Sequence, residues 1–229
     1  MVDARGEESG TIEDSRALAR YQRQEGASAY AGKYERSYGR RRTDRAERAL
    51  MQRMLGRLDP AASLLNVACG AGRFSDILLA GRRARVTYVD FSAAMLEEAG
   101  ARVRALGHHE VEFRQADATA DAPPEPHDLV VNVRMLHHLK EEGLRARALD
   151  FLCQASTDAL LFTVASDATF RGWRRRRRAA RRQRGEHVVS LAELGRELEA
   201  RGFEIVDVGY VSRLFSSQTW VLARRGSRT

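Results

Sequence analysis

Apolar runs and amphipathic stretches alternate along the middle of the chain, and this alternation predicts strands and helices in turn. Leu64–Val67 is a short apolar run that ends in a glycine turn, beyond which Phe74 and Leu78 lie at helical spacing. Val86–Val89 is a second apolar run with β-branched residues, and Ser92 then begins another helical pattern. The order strand, helix, strand, helix is typical of a parallel α/β sheet.

The same alternation continues toward the end of the chain. Further strands are predicted at Val111–Phe113, Leu129–Val133, Ala159–Val164, Phe203–Val208 and Ser217–Ala223. Further helices are predicted at Leu139–Cys153 and around Leu191–Leu198. Ahead of the first strand, Thr43 is predicted to cap a helix that stops at Asp59-Pro60. Strands alternating with helices in this way place the chain in the α/β class.

The ends of the first two strands carry residues suited to a nucleoside. Gly70 and Gly72 remove two Cβ atoms where the chain turns, so a ligand can approach the backbone and the start of the next helix. Asp90 lies at the carboxyl end of the adjacent strand, where a carboxylate can accept hydrogen bonds from both ribose hydroxyls. Ser75 stands where a dinucleotide fingerprint requires a third glycine, which argues against a pyrophosphate ligand.

Four motifs in order resemble the class I S-adenosylmethionine-dependent methyltransferases. They are Asn66–Arg73 (NVACGAGR), Val89–Ser92 (VDFS), Ala116–Ala118 (ADA) and Leu136–Leu139 (LHHL), within Leu64–Leu161. The resemblance implies a Rossmann-like, seven-stranded, mostly parallel sheet with helices on both faces, closed by an antiparallel hairpin. It also implies S-adenosylmethionine as cofactor and S-adenosylhomocysteine as product. Asn66 departs from the Asp that is frequent in the family, and it keeps an acceptor while losing the charge.

By the same resemblance, the cofactor-binding residues follow the ends of the first four strands. They are Asn66, Ala68, Gly70, Gly72, Asp90, Phe91, Met95, Asp117, Ala118 and Asn132. Asp117 would face the adenine amine, although an acid in a loop can instead cap its own turn. Phe91 and Met95 would line the faces of adenine, although ordinary core packing also explains them. No metal site is predicted.

The acceptor side of the site is predicted from the fourth strand and the N-terminal helices. Arg134, His138 and Tyr34 are candidate substrate-binding residues, and His137 is a candidate general base because an imidazole titrates near neutral pH. In-line transfer from a sulfonium needs mainly positioning, so the reaction can also proceed without a base. The tyrosine stripe to which Tyr34 belongs can equally be an amphipathic face that packs on the domain.

Charge is concentrated in one segment. The chain has 229 residues and a formal net charge of +8, whereas Arg171–Arg184 alone holds nine arginines and no acid. The segment lies where members of the resembling family insert a lid, here residues 166–188. It can be a solvated helix in which Arg174 and Arg178 flank a packed Trp173, a site for an anionic small molecule, glycan phosphate or lipid headgroup, or an RNA-binding surface.

These observations predict a tail and helical cap over residues 1–60 and a methyltransferase domain over residues 61–229. The predicted reaction is methyl transfer by in-line displacement to a small-molecule, lipid or glycan acceptor that is anionic. The alternatives are an RNA methyltransferase, for which Arg171–Arg184 would bind nucleic acid, and a non-catalytic cofactor-binding module. Two cysteines without ligand spacing predict neither a disulfide nor a zinc site. No apolar run long enough to span a membrane and no signal sequence is present, so a cytoplasmic location is expected, and the oligomeric state stays open.

Overall fold

The computed structural model of the protein describes residues 38–80, 85–108, 110–139, 141–182 and 188–226. Its strands are β1 (Ser63–Val67), β2 (Arg85–Asp90), β3 (Val111–Gln115), β4 (His127–Asn132), β5 (Ser156–Ala165), β6 (Phe203–Tyr210) and β7 (Gln218–Arg225). They form one seven-stranded sheet in the order β3-β2-β1-β4-β5-β7-β6, and β7 runs antiparallel to both of its neighbours. The predicted mostly parallel sheet with a closing antiparallel hairpin is confirmed.

Helices cover both faces of this sheet. They are α1 (Tyr38–Leu55), α2 (Ser75–Leu78), α3 (Ala93–Ala105), α4 (Glu142–Gln154), α5 (Phe170–Arg182) and α6 (Leu191–Glu199), with a 3-10 turn at Leu136–His138. Met54 of α1 and Val103 of α3 share one hydrophobic core with Leu161 of β5. Leu152 of α4 shares the opposite core with Leu160. Neighbouring strand residues point to opposite faces, so β5 contributes to both cores.

Local sequence explains the ends of α3. The side chain of Ser92 accepts a hydrogen bond from the backbone of Met95 at 3.2 Å, which satisfies a donor of the first helical turn. The helix ends before Gly107, whose φ of +83° is the left-handed conformation that stops a helix. Both boundaries agree with the sequence prediction.

The N-terminal helix differs from its prediction. Thr43 is not a cap, because α1 already begins at Tyr38 and the Thr43 hydroxyl donates to the backbone oxygen of Gly39 at 3.0 Å. The buried face of α1 comprises Glu47, Met51 and Met54. The predicted helix start at Thr43 was wrong because a threonine hydroxyl inside a helix can donate to the backbone oxygen four residues earlier. Tyr34 and the other residues of the predicted tyrosine stripe before Tyr38 lie outside the described residues.

The basic segment contains α5, which begins just beyond the end of β5. Gly172 lies so close to that strand end that an added Cβ would sit 1.7 Å from the backbone oxygen of Ser166. Trp173 is 44% exposed, so the packed tryptophan that the solvated-helix interpretation included is not found. The role of residues 166–188 as a lid stays a prediction. No helix among the described residues is long and apolar enough to cross a membrane.

Candidate functional site

The turn after β1 has an unusual backbone that its small residues allow. Ala68, Gly70 and Gly72 have φ angles of 51°, 53° and 68°. A non-glycine residue such as Ala68 accepts this conformation at a cost of about 1–2 kcal/mol. A Cβ on Gly72 would lie 2.8 Å from the Ser75 hydroxyl and 3.2 Å from Cα of Ala99 in α3. The second glycine is therefore required by the packing of the turn against α3, in addition to any ligand.

Ser75 has a definite role in this packing. It is fully buried at the start of α2, and the hydroxyl of Tyr88 in β2 donates to Ser75 Oγ at 3.1 Å. The third position of the glycine motif is thus occupied by a hydrogen-bonded side chain. This arrangement explains in structural terms why the chain departs from the dinucleotide fingerprint.

Asp90 joins the turns that follow β1 and β2. One carboxylate oxygen accepts from the Gly70 backbone N–H at 2.8 Å, and the other accepts from the Ser92 N–H at 3.0 Å. Each carboxylate oxygen has a further lone pair, so Asp90 can still accept two ribose hydroxyls. Burial raises the pKa of Asp90, and the N–H groups of Ser92 and Gly70, which favour the charged form, only partly oppose that rise.

Asn132 at the end of β4 is the clearest incomplete group near these turns. It is fully buried, and its amide nitrogen donates to the backbone oxygen of Val67 at 2.9 Å. Its side-chain oxygen is buried and has no donor among the residues that the structure describes. Asn66 is buried in β1, opposite Tyr88 and Val131. A buried acceptor without a donor fits a site that a ligand completes.

The residues predicted to surround adenine lie at the ends of β2 and β3. Phe91 is half-buried, Met95 is buried in the first turn of α3, and Ala118 is buried after β3. Asp117 is exposed, and one oxygen of its carboxylate accepts from both the backbone and the hydroxyl of Thr119, at 2.8 and 2.7 Å. The structure thus shows the turn-capping interaction for Asp117, and its contact with adenine stays a prediction.

The loop after β4 holds the predicted acceptor-side residues. Arg134 has a φ of 68°, and its backbone N–H donates to the hydroxyl of Thr163 at 2.8 Å. Its guanidinium donates to Gln218 Oε1 at 2.8 Å and to Glu47 Oε1 at 3.3 Å. The rings of His137 and His138 lie 4.0 Å apart in the 3-10 turn. The structure therefore brings both histidines to the predicted edge, while Arg134 also has partners within the protein.

Sequence reasoning missed the acids by which α1 is attached to this edge. Arg73, the residue after the glycine turn, pairs with Asp44 and with the fully buried Glu47, both at 2.6 Å. Glu47 therefore lies between Arg73 and Arg134. The available signal was the spacing of Asp44 and Glu47, which places two acids on the helix side that also carries Met51.

The thiol of Cys69 is unsuited to nucleophilic work. Burial raises its pKa well above the ordinary value, and the nearby charge of Asp90 adds to the effect. The thiol therefore stays protonated at neutral pH. Within the described ranges, no group of three or more His, Cys, Asp or Glu residues could hold a metal ion.

Comparison with known proteins supports the family suggested by this geometry. Residues 64–153 match a family model described as a methyltransferase domain, and no curated protein matches the chain. The fold is similar to that of magnesium protoporphyrin IX methyltransferase (ChlM) from Synechocystis PCC 6803 with bound S-adenosylmethionine. That likeness has a TM-score of 0.72 at 16% identity and covers 96% of this chain and 100% of that one.

Two further solved structures are similar in fold. The N-methyltransferase NodS from Bradyrhizobium japonicum WM9, in complex with S-adenosylhomocysteine, has a TM-score of 0.61 at 19% identity, over 80% of this chain and 87% of that one. The [4+2]-cyclase SpnF has a TM-score of 0.59 at 18% identity, over 78% and 80%. The predicted resemblance is confirmed: residues 64–153 match the methyltransferase domain model, and the chain has the Rossmann-like fold of the solved S-adenosylmethionine-dependent methyltransferases to which it is similar.

Proposed function

We propose that this protein transfers the methyl group of S-adenosylmethionine by in-line displacement to a small-molecule, lipid or glycan acceptor that is anionic. The observation that carries the proposal is the Asp90 carboxylate. It is buried and fixed by the N–H groups of Gly70 and Ser92, and no arginine or lysine is recorded as its partner in the described ranges. Its remaining lone pairs are suited to the two hydroxyls of a ribose.

The cofactor would be held by residues of three strand ends. Asp90 would hold the ribose, and Phe91, Met95, Asp117 and Ala118 would surround the adenine. Asn66, Ala68, Gly70, Gly72 and Asn132 would surround the methionine part, where the buried Asn132 side-chain oxygen can accept from an ammonium group. When bound, S-adenosylmethionine supplies an electrophilic methyl group on a sulfonium centre.

The acceptor would enter from the loop after β4. Arg134, His138 and Tyr34 would contact it, and His137 would remove a proton from an attacking hydroxyl or amine. The alternative is that His137 only orients the turn, since transfer to a deprotonated acceptor needs positioning and exclusion of water but no base. A rate that depends on a single group with an imidazole pKa, and that is lost in His137→Ala with cofactor affinity retained, supports the base.

An anionic small molecule is favoured because arginines dominate the segment beside this edge. ChlM and NodS, both similar in fold, are named for a magnesium protoporphyrin IX substrate and for N-methylation. An RNA acceptor would also be attracted by arginines and is the first alternative. A cofactor-binding module without methyl transfer is the second, and a similar fold that is described as a [4+2]-cyclase favours keeping it.

Two measurements test the proposal. S-adenosylhomocysteine should raise the melting temperature of the protein, whereas NAD should not, because only a ligand selective for the native state stabilises it. A methyl-labelled cofactor should then be offered with small-metabolite, lipid, glycan and RNA fractions. Label in RNA would replace the proposal with the RNA alternative. Binding without label in any fraction would favour the non-catalytic module, and stabilisation by NAD alone would reject the cofactor.

A further inference from the structure

Among the described residues, most of the exposed large apolar side chains lie together. In the part of the chain that the structure describes, these side chains are Leu106, Phe170, Trp173, Val206, Leu214 and Phe215. Four of the six belong to α5 and to the loop 211–217 that precedes β7. Phe215 is 77% exposed, Leu214 59% and Phe170 52%. Scattered apolar side chains are normal on a surface, but four that share one small area indicate a partner.

The two segments form a single surface because hydrogen bonds join them. The backbone N–H of Phe170 donates to the Arg213 oxygen at 2.8 Å, and the Arg171 guanidinium donates to the Phe215 oxygen at 3.0 Å. The Arg175 guanidinium donates to the Ser217 hydroxyl at 3.0 Å. Between the segments lies a groove of about 530 Å³, lined by Phe170, Arg171, Arg174, Arg175, Arg178, Leu214 and Phe215.

The two segments are strongly basic, and the sequences of α5 and of the loop 211–217 contain no Asp or Glu. Arg176, which does not line the groove, pairs with Asp167 and Glu193. Arg174 and Arg177 lie instead over the rings of Phe170 and Trp173, at 5.8 and 4.7 Å. Phe170 and Trp173 stack on each other with ring centroids 6.0 Å apart. Cations are thus interleaved with apolar side chains.

We propose that α5 and the loop 211–217 form a docking surface for an anionic lipid bilayer. Aromatic and leucine side chains can enter the boundary between headgroups and acyl chains, while the arginines beside them bind lipid phosphates. A small ligand in the groove would leave Trp173 uncovered, because Trp173 is exposed but is absent from the groove lining. A planar partner covers the groove and the tryptophan together.

The docking surface adjoins the edge of the sheet that carries the candidate site. Gln218, where the loop 211–217 ends, pairs with Ala165 at the carboxyl end of β5 and accepts a hydrogen bond from Arg134. The surface is therefore on the same edge of the sheet as the loop after β4. A bilayer there lies beside the entrance proposed for the acceptor, although the docking itself does not depend on methyl transfer.

The two tryptophans of the chain give a direct optical readout. Trp220 is fully buried, so a blue shift of the emission on adding vesicles reports Trp173. Vesicles of phosphatidylglycerol and phosphatidylcholine in equal parts should bind the protein in sedimentation and shift the emission, and both effects should weaken with salt. The affinity for vesicles of pure phosphatidylcholine should be lower by about tenfold or more, because the arginines lose their anionic partners.

Variants separate this surface from general stickiness. Leu214→Ser with Phe215→Ser should lower vesicle affinity about tenfold, and Arg174→Gln with Arg177→Gln and Arg178→Gln should remove the preference for the anionic lipid. Leu106→Ser and Arg104→Gln, which change an exposed apolar side chain and an exposed arginine near the end of α3, should bind as the wild type does. Each variant is used only at a wild-type melting temperature.

Three outcomes would overturn the inference. Equal binding to both vesicle types, or none, would show that no anionic bilayer is recognised. A larger Trp173 shift with single-stranded oligouridylate than with vesicles would assign the surface to RNA. A dimer in light scattering that disappears in the Leu214→Ser, Phe215→Ser variant, without vesicle binding, would assign it to a second copy of the chain.

Discussion

Arginines on two parts of this protein have opposite environments. Arg73 and Arg134 lie beside the glycine turn and the end of β4, and both pair with the fully buried Glu47 of α1. Arg174 and Arg177 of α5 lie over exposed aromatic rings and have no acidic partner in the described ranges. Arginine therefore has two uses in this protein. Arg73 and Arg134 attach α1 beside the candidate site, whereas Arg174 and Arg177 give α5 an exposed positive charge.

The difference teaches how to separate structural arginines from binding arginines in an arginine-rich chain. A guanidinium paired with a buried carboxylate is committed to the fold, since losing either partner leaves a charge without compensation. An exposed guanidinium beside exposed apolar surface gives the fold little and is available to an anion. The following predictions test this contrast.

The largest effect is expected at Glu47. Glu47→Ala should lower the free energy of unfolding by about 3–5 kcal/mol, because Arg73 and Arg134 keep their charges in partly buried positions without their shared partner. Urea unfolding measures the change. The control is Glu97→Ala on the exposed side of α3, which should change stability by about 0.5 kcal/mol or less. A similar small change at Glu47 would show that the buried pairs do not hold α1.

The second-largest effect, on cofactor binding, is expected at Asp90. Asp90→Ala should weaken S-adenosylmethionine binding by up to about 1.5–3 kcal/mol for each charge-assisted hydrogen bond to the ribose. Calorimetry on folded protein measures the affinity, and Asp90→Asn, which retains one acceptor oxygen, should lose less. Wild-type affinity in Asp90→Ala would remove Asp90 from the ribose site.

Cofactor affinity and stability should both depend on pH through Asp90. Burial raises the pKa of Asp90, so its folded-state pKa lies above the unfolded value of about 4. In the proposed ribose site the ionised form is the one that would accept from the hydroxyls, so cofactor affinity should fall as the pH drops through the raised pKa, by up to about tenfold per pH unit. The ligand-free protein should show the opposite sign: the stability that Asp90 contributes is present below the unfolded pKa and is lost as the pH rises through the folded one.

Calorimetry across pH, with Asp90→Asn as a control that cannot titrate, separates this effect from others. The affinity of Asp90→Asn for the cofactor should stay constant over the pH range in which the wild-type affinity falls. Parallel curves for the two proteins would mean that another group titrates.

The smallest effect is expected on α5. Arg174→Gln with Arg177→Gln and Arg178→Gln should change the free energy of unfolding by about 0.5 kcal/mol or less, because these exposed side chains have no buried acid to leave unpaired. Affinity for S-adenosylhomocysteine should also be unchanged. A loss of stability comparable to that of Glu47→Ala would end the distinction between the two sets of arginines.

The features that sequence reasoning predicted well are those that local chemistry determines. The apolar runs gave the strands, and Ser92 and Gly107 gave the bounds of α3 because a cap and a left-handed glycine act within a few residues. The positions of Gly70 and Asp90 also followed, since parallel strands bring their carboxyl ends to one edge. Their contact at 2.8 Å shows that this edge is assembled as expected.

The features that were missed depend on which surfaces meet. The pairs between Asp44, Glu47 and Arg73 join residues from α1 and the glycine turn. The spacing of the two acids places them on one side of α1 but does not specify that this side packs against the glycine turn. A packed Trp173 belonged to one of the three interpretations of the basic segment, and the side chain is exposed instead. Gly172, the residue before it, is the one that packs against Ser166, just beyond the end of β5.

The antiparallel direction of β7 determines where the chain can change in length without disturbing the sheet. β7 enters the sheet at the edge where the parallel strands leave it, and its register from Ala165–Gln218 to Ala159–Arg224 is set by pairing with β5. The loop 211–217 can therefore gain or lose residues without shifting that register, because the change stays outside the paired strand. A different recognition segment can therefore be grafted at this loop while the sheet keeps its register.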